Sequence, residues 1–407
     1  MIKVVHISTS KNGGAGIAAY RIHEALNKTN QVESYFIQQN KNARNKDEKI
    51  DSAPFYKPSI IFRILRKLKL TDYIENSKLR KFVKSFSSNF EIATFPTSSY
   101  RIEEHPLVKE ADIIHLHWVA DFLNYPTFFK KIKKPIIWTL HDMNPFQGLF
   151  HYKNDELSNK KDLGRIDEKI KFLKQKHIHQ NKNINILTLC KWMHQLSINS
   201  KAFHKSKHFI IPNLINFEQY PILNRKEEKE KHGLNNGSKT LLFIAQDINN
   251  SRKGFDLLFE VLKSIKVSIN IITIGGEKKQ LPSNYNHLHF KNINNIEQLN
   301  SLYSASDLTL LTSREDNLPN VMLESFANGT PVISFRTGGM QDWIKDHKTG
   351  FLIDAFKIDE LSTKLIFFIE NDNIFDSSKI YEYAKDNFSI EKRLPELIMI
   401  YKNILTQ

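Results

Sequence analysis

The stretch Thr312–Gly339, TSREDNLPNVMLESFANGTPVISFRTGG, decides the fold of this chain. The apolar run Leu308-Thr309-Leu310-Leu311 leads into it and ends in a polar loop that carries Asp316 and Asn317. Pro319 then opens a helix, because its fixed φ suits the first turn and its missing N–H would have no intrahelical acceptor there. Gly329 closes that helix, Pro331–Phe335 begins another strand, and Gly338-Gly339 makes a second glycine turn. Strand, acidic loop, helix and strand compose one unit of a parallel α/β sheet. Such units gather loops and helix N-termini at the carboxyl edge of the strands, where ligands bind.

The same alternation extends outward on both sides. In the second half, strands are predicted at 240–245, 269–274, 287–290, 308–311 and 332–335, with helices at 255–265, 296–304 and 319–328. Residues 389–405 are helical by pattern. In the first half, strands are predicted at 3–8, 32–37, 112–118, 135–141, 185–190 and 208–211. The turn Asn12-Gly13-Gly14-Ala15-Gly16 precedes a helix predicted at 17–27. Residues 41–110 break the rhythm and read as an elaborated insertion. Alternation lapses again after Ile211-Pro212-Asn213, and the charged run 225–231 reads as a solvated helix face. The domain boundary is placed there. Residues 1–218 form a first Rossmann-like domain, 219–385 a second, and 386–407 a C-terminal helix. The fold class is therefore α/β, two Rossmann-like domains in sequence.

The 407 residues suffice for two ordinary domains, and 28 Phe supply large core side chains. A single cysteine, Cys190, excludes an internal disulfide and fits a reducing compartment. No apolar run approaches membrane-spanning length, and Met1–Ser8 reads as a buried strand, not a signal peptide. A cytoplasmic protein is expected. The net charge of +15 favours an anionic partner, or reflects general solubility alone. Residues 57–84 concentrate this charge, with Arg63, Arg66, Lys67 and Lys69 among Ile60, Ile61, Ile64 and Leu65 at helical spacing. A basic amphipathic helix of this kind can lie on an anionic membrane, on the inner face of the plasma membrane in a cytoplasmic protein. The alternative is a helix that packs its apolar face on the domain core. No nucleic-acid-binding motif accompanies the charge, so nucleic acid is not expected as a partner.

Several residues at predicted strand ends carry chemistry. Gly13, Gly14 and Gly16 let backbone N–H groups approach a phosphate at a helix N-terminus, or simply make a tight turn. His141 ends the strand of Trp138-Thr139-Leu140 and offers an imidazole at the ligand edge. His115 and His117 alternate onto one face, so a metal pair is conceivable. With no Cys or acidic third ligand in the pattern, they are read as structural or at most as acceptor-pocket residues, and no metal is expected. Arg252-Lys253-Gly254 sets cations beside a helix start, a placement suited to phosphate. Gly275 ends another strand at the same edge.

Asp316 and Glu324, eight residues apart, resemble the paired-acid motif of the retaining, family-4-type glycosyltransferases of bacterial surface-polysaccharide type. The glycine turn, Thr139–Asp142 and Arg252-Lys253-Gly254 fall in that family's order. In the family the first acid is usually Glu; here it is Asp316, with Glu315 just before it. The family's earlier arginine falls at Gln246 here, so either Arg252 substitutes for it or the second cation is lost. The resemblance implies a GT-B fold, with two domains facing across a cleft and the last helix crossing back to the first. It implies transfer of a sugar from a nucleotide-diphosphate sugar to a lipid-linked or polysaccharide acceptor, with retention at the anomeric carbon and no cofactor. His141, Asp316, Arg252 and Lys253 would be catalytic: His141 would donate to a sugar hydroxyl, Asp316 would face the sugar, and the cations would neutralise the leaving diphosphate. Gly13, Gly14, Gly16, Gly275, Asn317, Leu318 and Glu324 would bind the donor, Glu324 through the ribose hydroxyls. The alternatives are a nucleotide-sugar epimerase or hydrolase of the same fold, or a non-catalytic basic protein binding membrane or nucleic acid.

Overall fold

A computed structural model describes residues 1–39, 49–56, 60, 77–282 and 285–406. The chain divides into two compact units, Met1–Ile211 with Leu394–Gln407, and Pro212–Arg393.

The first unit holds seven parallel strands: β1 (Ile2–Ile7), β2 (Val32–Gln38), β3 (Ile50–Ser52), β4 (Ile113–Leu116), β5 (Ile136–Leu140), β6 (Ile184–Thr188) and β7 (Lys207–Ile210). Their order is β3-β2-β1-β4-β5-β6-β7. The central strands are apolar on both faces because helices cover both; every residue of β5, Ile-Ile-Trp-Thr-Leu, is buried. The second unit holds β8 (Thr240–Ile244), β9 (Asn270–Ile274), β10 (Asn286–Phe290), β11 (Leu308–Leu311), β12 (Val332–Phe335) and β13 (Gly350–Ile353), in the order β10-β9-β8-β11-β12-β13. Helix Phe255–Ser264 shows why these elements form. Phe255, Leu258, Val261 and Leu262 recur at three- and four-residue spacing and are buried, packing in one core with Leu241 of β8 and Leu310 of β11.

Both sheets are parallel α/β sheets, as the strand–loop–helix reading requires. Some expectations shift. The first helix begins at Gly13, not Ile17, so all three turn glycines lie in its first turn. The run 225–231 is a helix, but not a wholly solvated one: Lys229 is buried, and its Nζ donates to Asp307 Oδ2 at 2.6 Å and to the Ser238 carbonyl at 3.0 Å. The insertion adds β3 to the sheet edge and a helix at Ser77–Lys84. Most of the basic segment 57–84 lies outside the described residues. In its described helix, Val83 is buried in a cluster with Phe95, Phe150 and Leu163, and Leu79 packs against that cluster; Ile61, Ile64 and Leu65, which carry the amphipathic reading, lie outside the described residues. The last helix, Ile390–Leu405, ends within the first unit, where Tyr401 meets His115 at 2.7 Å. Among the described residues no helix is long and apolar enough to cross a membrane.

Candidate functional site

In the second unit, four adjacent parallel strands, β9, β8, β11 and β12, end side by side, and their carboxyl-edge loops interlock. After β8, a short 3-10 turn at Ser251–Lys253 presents Arg252 and Lys253, and Gly254 follows with φ 70°. A Cβ at Gly254 would stand 2.0 Å from the Thr312 carbonyl oxygen, so only glycine admits the acidic loop this close. The loop after β11 is tied to the turn by backbone and side chain. Arg314 N–H donates to the Arg252 carbonyl at 2.7 Å, and Thr312 Oγ1 donates to the Gly254 carbonyl at 2.7 Å. The Arg314 guanidinium also grips Asp256 through both carboxylate oxygens, at 2.9 and 2.6 Å. On the other side, Gly339 N–H donates to the Asn317 carbonyl at 2.8 Å.

This clamp brings Asp316, Arg252 and Lys253 together. Lys253 Nζ lies 2.5 Å and Arg252 Nη1 3.4 Å from Asp316 Oδ2. Burial alone would raise the Asp316 carboxyl; Lys253 and then Arg252 outweigh it and hold the carboxyl below its usual range. Two cations against one carboxylate leave the cluster net positive and suited to an anion. Arg252 also donates to the Glu315 carbonyl at 3.0 Å, which orients its guanidinium. Asn317 and Leu318 are buried; the Asn317 N–H donates to Asp316 Oδ1 at 3.1 Å, and the Leu318 carbonyl accepts from Asn213. Glu324 lies in helix Asn320–Ala327, buried, where its Oε2 accepts from the Tyr303 hydroxyl at 3.3 Å. Gly275 follows β9 with φ 117°, against the Ala245 carbonyl.

The first unit holds a separate cluster. Gly13, Gly14 and Gly16 sit in the opening turn of helix Gly13–Asn27, whose first amides have no intrahelical acceptor. Gly16 packs against the carbonyl oxygen of Ser10 after β1. His141 follows β5, half-buried, its Nε2 3.3 Å from His117 Nδ1. Burial pushes His141 down to about 4, against an opposing pull from Asp142, so the ring is neutral at neutral pH. The buried Asp142 accepts from Trp118 Nε1 at 2.7 Å and Asn144 N–H at 3.0 Å, and pairs with His151 at 2.6 Å. Lys174, buried in helix Lys160–Ile178, donates to the Asn144 and Gly148 carbonyls and anchors the loop after His141.

His115 and His117 have a third histidine beside them, His6, which the pattern of a single strand could not reveal. His6 pairs in register with His115 across β1 and β4. One nitrogen of each of the three lies within 4.8 Å of the others. Among these rings His6 Nδ1 lies 2.9 Å from His117 Nε2, and His115 bonds Tyr401 and Thr139, each at 2.7 Å. Tyr303, His151 and Trp118 were also missed, since each acts through a partner distant in sequence.

Residues 224–387 match the family described as glycosyl transferases group 1. An uncharacterized glycosyltransferase of Haemophilus influenzae is 26% identical over 173 residues, which cover 39% of this chain and 48% of that protein. The chain thus spans about half the length of that curated relative. Among solved structures, HepE of Anabaena in complex with UDP-glucose is similar with a TM-score of 0.61 and 15% identity, covering 99% of this chain and 100% of that one. WaaG, a glycosyltransferase involved in lipopolysaccharide biosynthesis, has a TM-score of 0.64 and 17% identity, covering 98% and 99%. The group 1 match thus covers residues 224–387, and the chain as a whole has the GT-B fold of these solved structures.

Proposed function

We propose that this chain is a glycosyltransferase that moves a sugar from a nucleoside-diphosphate sugar to a lipid-linked or polysaccharide acceptor of the cell surface, with retention at the anomeric carbon. The observation that carries the reading is the Arg252–Lys253–Asp316 cluster, clamped at the carboxyl edge of the sheet within the group 1 domain. In this reading Lys253 and Arg252 move from Asp316 onto the diphosphate and stabilise the charge that develops as it leaves. Asp316, released, faces the sugar. Glu324 accepts from the ribose hydroxyls, and Gly275 lets the backbone approach the nucleotide. In the first unit, the neutral His141 donates to a sugar hydroxyl, and the amides at Gly13, Gly14 and Gly16 face the donor. The cations serve the diphosphate without a cofactor or divalent ion, so EDTA leaves turnover unchanged. UDP-glucose is the first donor to test, given the likeness to HepE, and a lipid-linked saccharide the first acceptor, given the likeness to WaaG.

The test is a thermal-shift screen of nucleotide sugars, followed by transfer assays with the stabilising donor. Sugar transfer with a retained anomer supports the reading. Donor consumption without an acceptor points to a hydrolase or epimerase. Failure to bind any nucleoside diphosphate leaves a non-catalytic protein of this fold.

A further inference from the structure

Three histidines of the first unit form a hydrogen-bonded row. His6 lies in β1, His117 just beyond β4 and His141 just beyond β5, adjacent parallel strands in the sheet. His6 Nδ1 lies 2.9 Å from His117 Nε2, and His117 Nδ1 lies 3.3 Å from His141 Nε2. His6 and His117 are buried, and burial pushes all three rings to lower pKa values. Each ring is therefore neutral near pH 7 and carries one proton on one of its two nitrogens.

Two contacts between three neutral rings allow only two proton arrangements, because each contact holds one hydrogen. Either every ring is protonated on Nδ1 or every ring is protonated on Nε2. The second arrangement puts an N–H at His6 Nε2, a buried atom with no hydrogen-bond partner among the described residues. Orphaned buried N–H groups are rarer in proteins than under-satisfied acceptors. The first arrangement leaves only a lone pair there. His115 does not compete for these protons, since Tyr401 and Thr139 occupy its two nitrogens.

We propose that His6 and His117 are positioning residues that hold His141 in its Nδ1–H tautomer, so that the nitrogen not facing His117 presents a hydrogen to a hydroxyl of the bound sugar. The tautomer is the one that spares His6 Nε2 an orphaned N–H; its use rests on the proposed sugar-transfer role of His141. A ring locked the other way would present a lone pair where a donor is needed.

Nitrogen-15 NMR of the imidazoles in the full chain reads the tautomer directly, with His141→Gln assigning the His141 signals. Wild-type His141 is expected to be protonated on Nδ1. In His117→Phe the constraint is gone, and His141 should move to the Nε2–H form that an unconstrained imidazole prefers. There kcat should fall about tenfold or more, as for other imidazoles held in the wrong tautomer, while donor KM changes by less than about twofold. His117→Asn returns an amide N–H near the lost Nδ1–H and should restore both the tautomer and most of kcat. Wild-type His141 protonated on Nε2, or an Nδ1–H signal that survives His117→Phe, overturns the proposal. The wild-type spectrum decides this even if a variant does not fold. If the tautomers behave as stated but kcat is unchanged in both His117→Phe and His141→Gln, the row stands and the sugar-transfer role of His141 fails.

Discussion

Gly338 lies so close to Asp316 that a Cβ on it would stand 1.6 Å from the Asp316 carbonyl oxygen. Its φ of 52° is also one that side-chain-bearing residues avoid. Gly338→Ala is therefore expected to push the acidic loop off its seat and destabilise the protein by about 2–4 kcal/mol. Nucleoside-diphosphate affinity should fall with it. Urea unfolding and titration calorimetry check the two effects; an alanine variant as stable as the parent would contradict the packing argument.

Lys253→Met should weaken nucleoside-diphosphate binding by about tenfold to a hundredfold, the worth of one charge-assisted hydrogen bond. Asp316→Asn should act differently, because it removes the carboxylate that holds both cations. Affinity for the bare diphosphate should stay level or rise while turnover falls. Equal losses in affinity and turnover would rule out this division of labour.

Glu324→Ala should cost nucleotide binding on the order of 1.5–3 kcal/mol for each ribose hydrogen bond lost. The comparison that matters is a nucleoside diphosphate against inorganic diphosphate. Weakening of the first alone supports the ribose role, and weakening of both alike removes it.

Buried imidazoles make folding sensitive to acid. His115 is pushed down to about 3 and His141 to about 4 by burial, and burial holds His6 and His117 well below their ordinary range, all from an ordinary 6.5. The unfolded chain takes up these protons as pH falls below 6.5, and the folded chain does not. Their stabilising contribution is therefore complete above pH 6.5 and is lost progressively as pH falls from there, down to about 4 for His141 and about 3 for His115. Each group adds up to about 1.4 kcal/mol per pH unit to the slope. Urea midpoints should drop steeply between neutral pH and about pH 5. A flat profile across that range would mean that the histidines are protonated without unfolding.

Vesicle binding tests the basic segment. Changing Arg63, Arg66, Lys67 and Lys69 together to Gln should remove about 1 kcal/mol of anionic-membrane affinity per charge. Co-sedimentation at low and high salt measures it. Unchanged binding would leave these cations without a membrane role.

The strand-to-helix units were legible because buried parallel strands are short continuous apolar runs bracketed by turn residues. Leu308–Leu311 and Val332–Phe335 fall where the pattern put them. β3 was missed because Ile50-Asp51-Ser52 is short and half polar, and only its pairing with β2 makes it a strand. β13 was missed for a similar reason, being four residues long beside a glycine. In the site, Asp316, Arg252 and Lys253 were legible as types at strand ends, but their mutual pairing was not. It depends on Gly254 and Gly338 admitting the loop from two sides, a tertiary fact. His6 was invisible for the same reason: its chemistry arises from a neighbour 111 positions away.

The bond between His115 and Tyr401 joins residues 286 positions apart, and Leu394–Gln407 belongs to the first unit. During synthesis, all of the second unit, Pro212–Arg393, must leave the ribosome before Tyr401 can reach the first. Until then the first unit lacks the partner of a buried imidazole and the apolar surface of Leu397, Ile398 and Ile404 that would cover it. Its final consolidation thus waits until the second unit has been synthesised. A stalled or clipped chain lacking Leu394–Gln407 would expose that seam to chaperones and proteases, although every strand of its sheet had already been made.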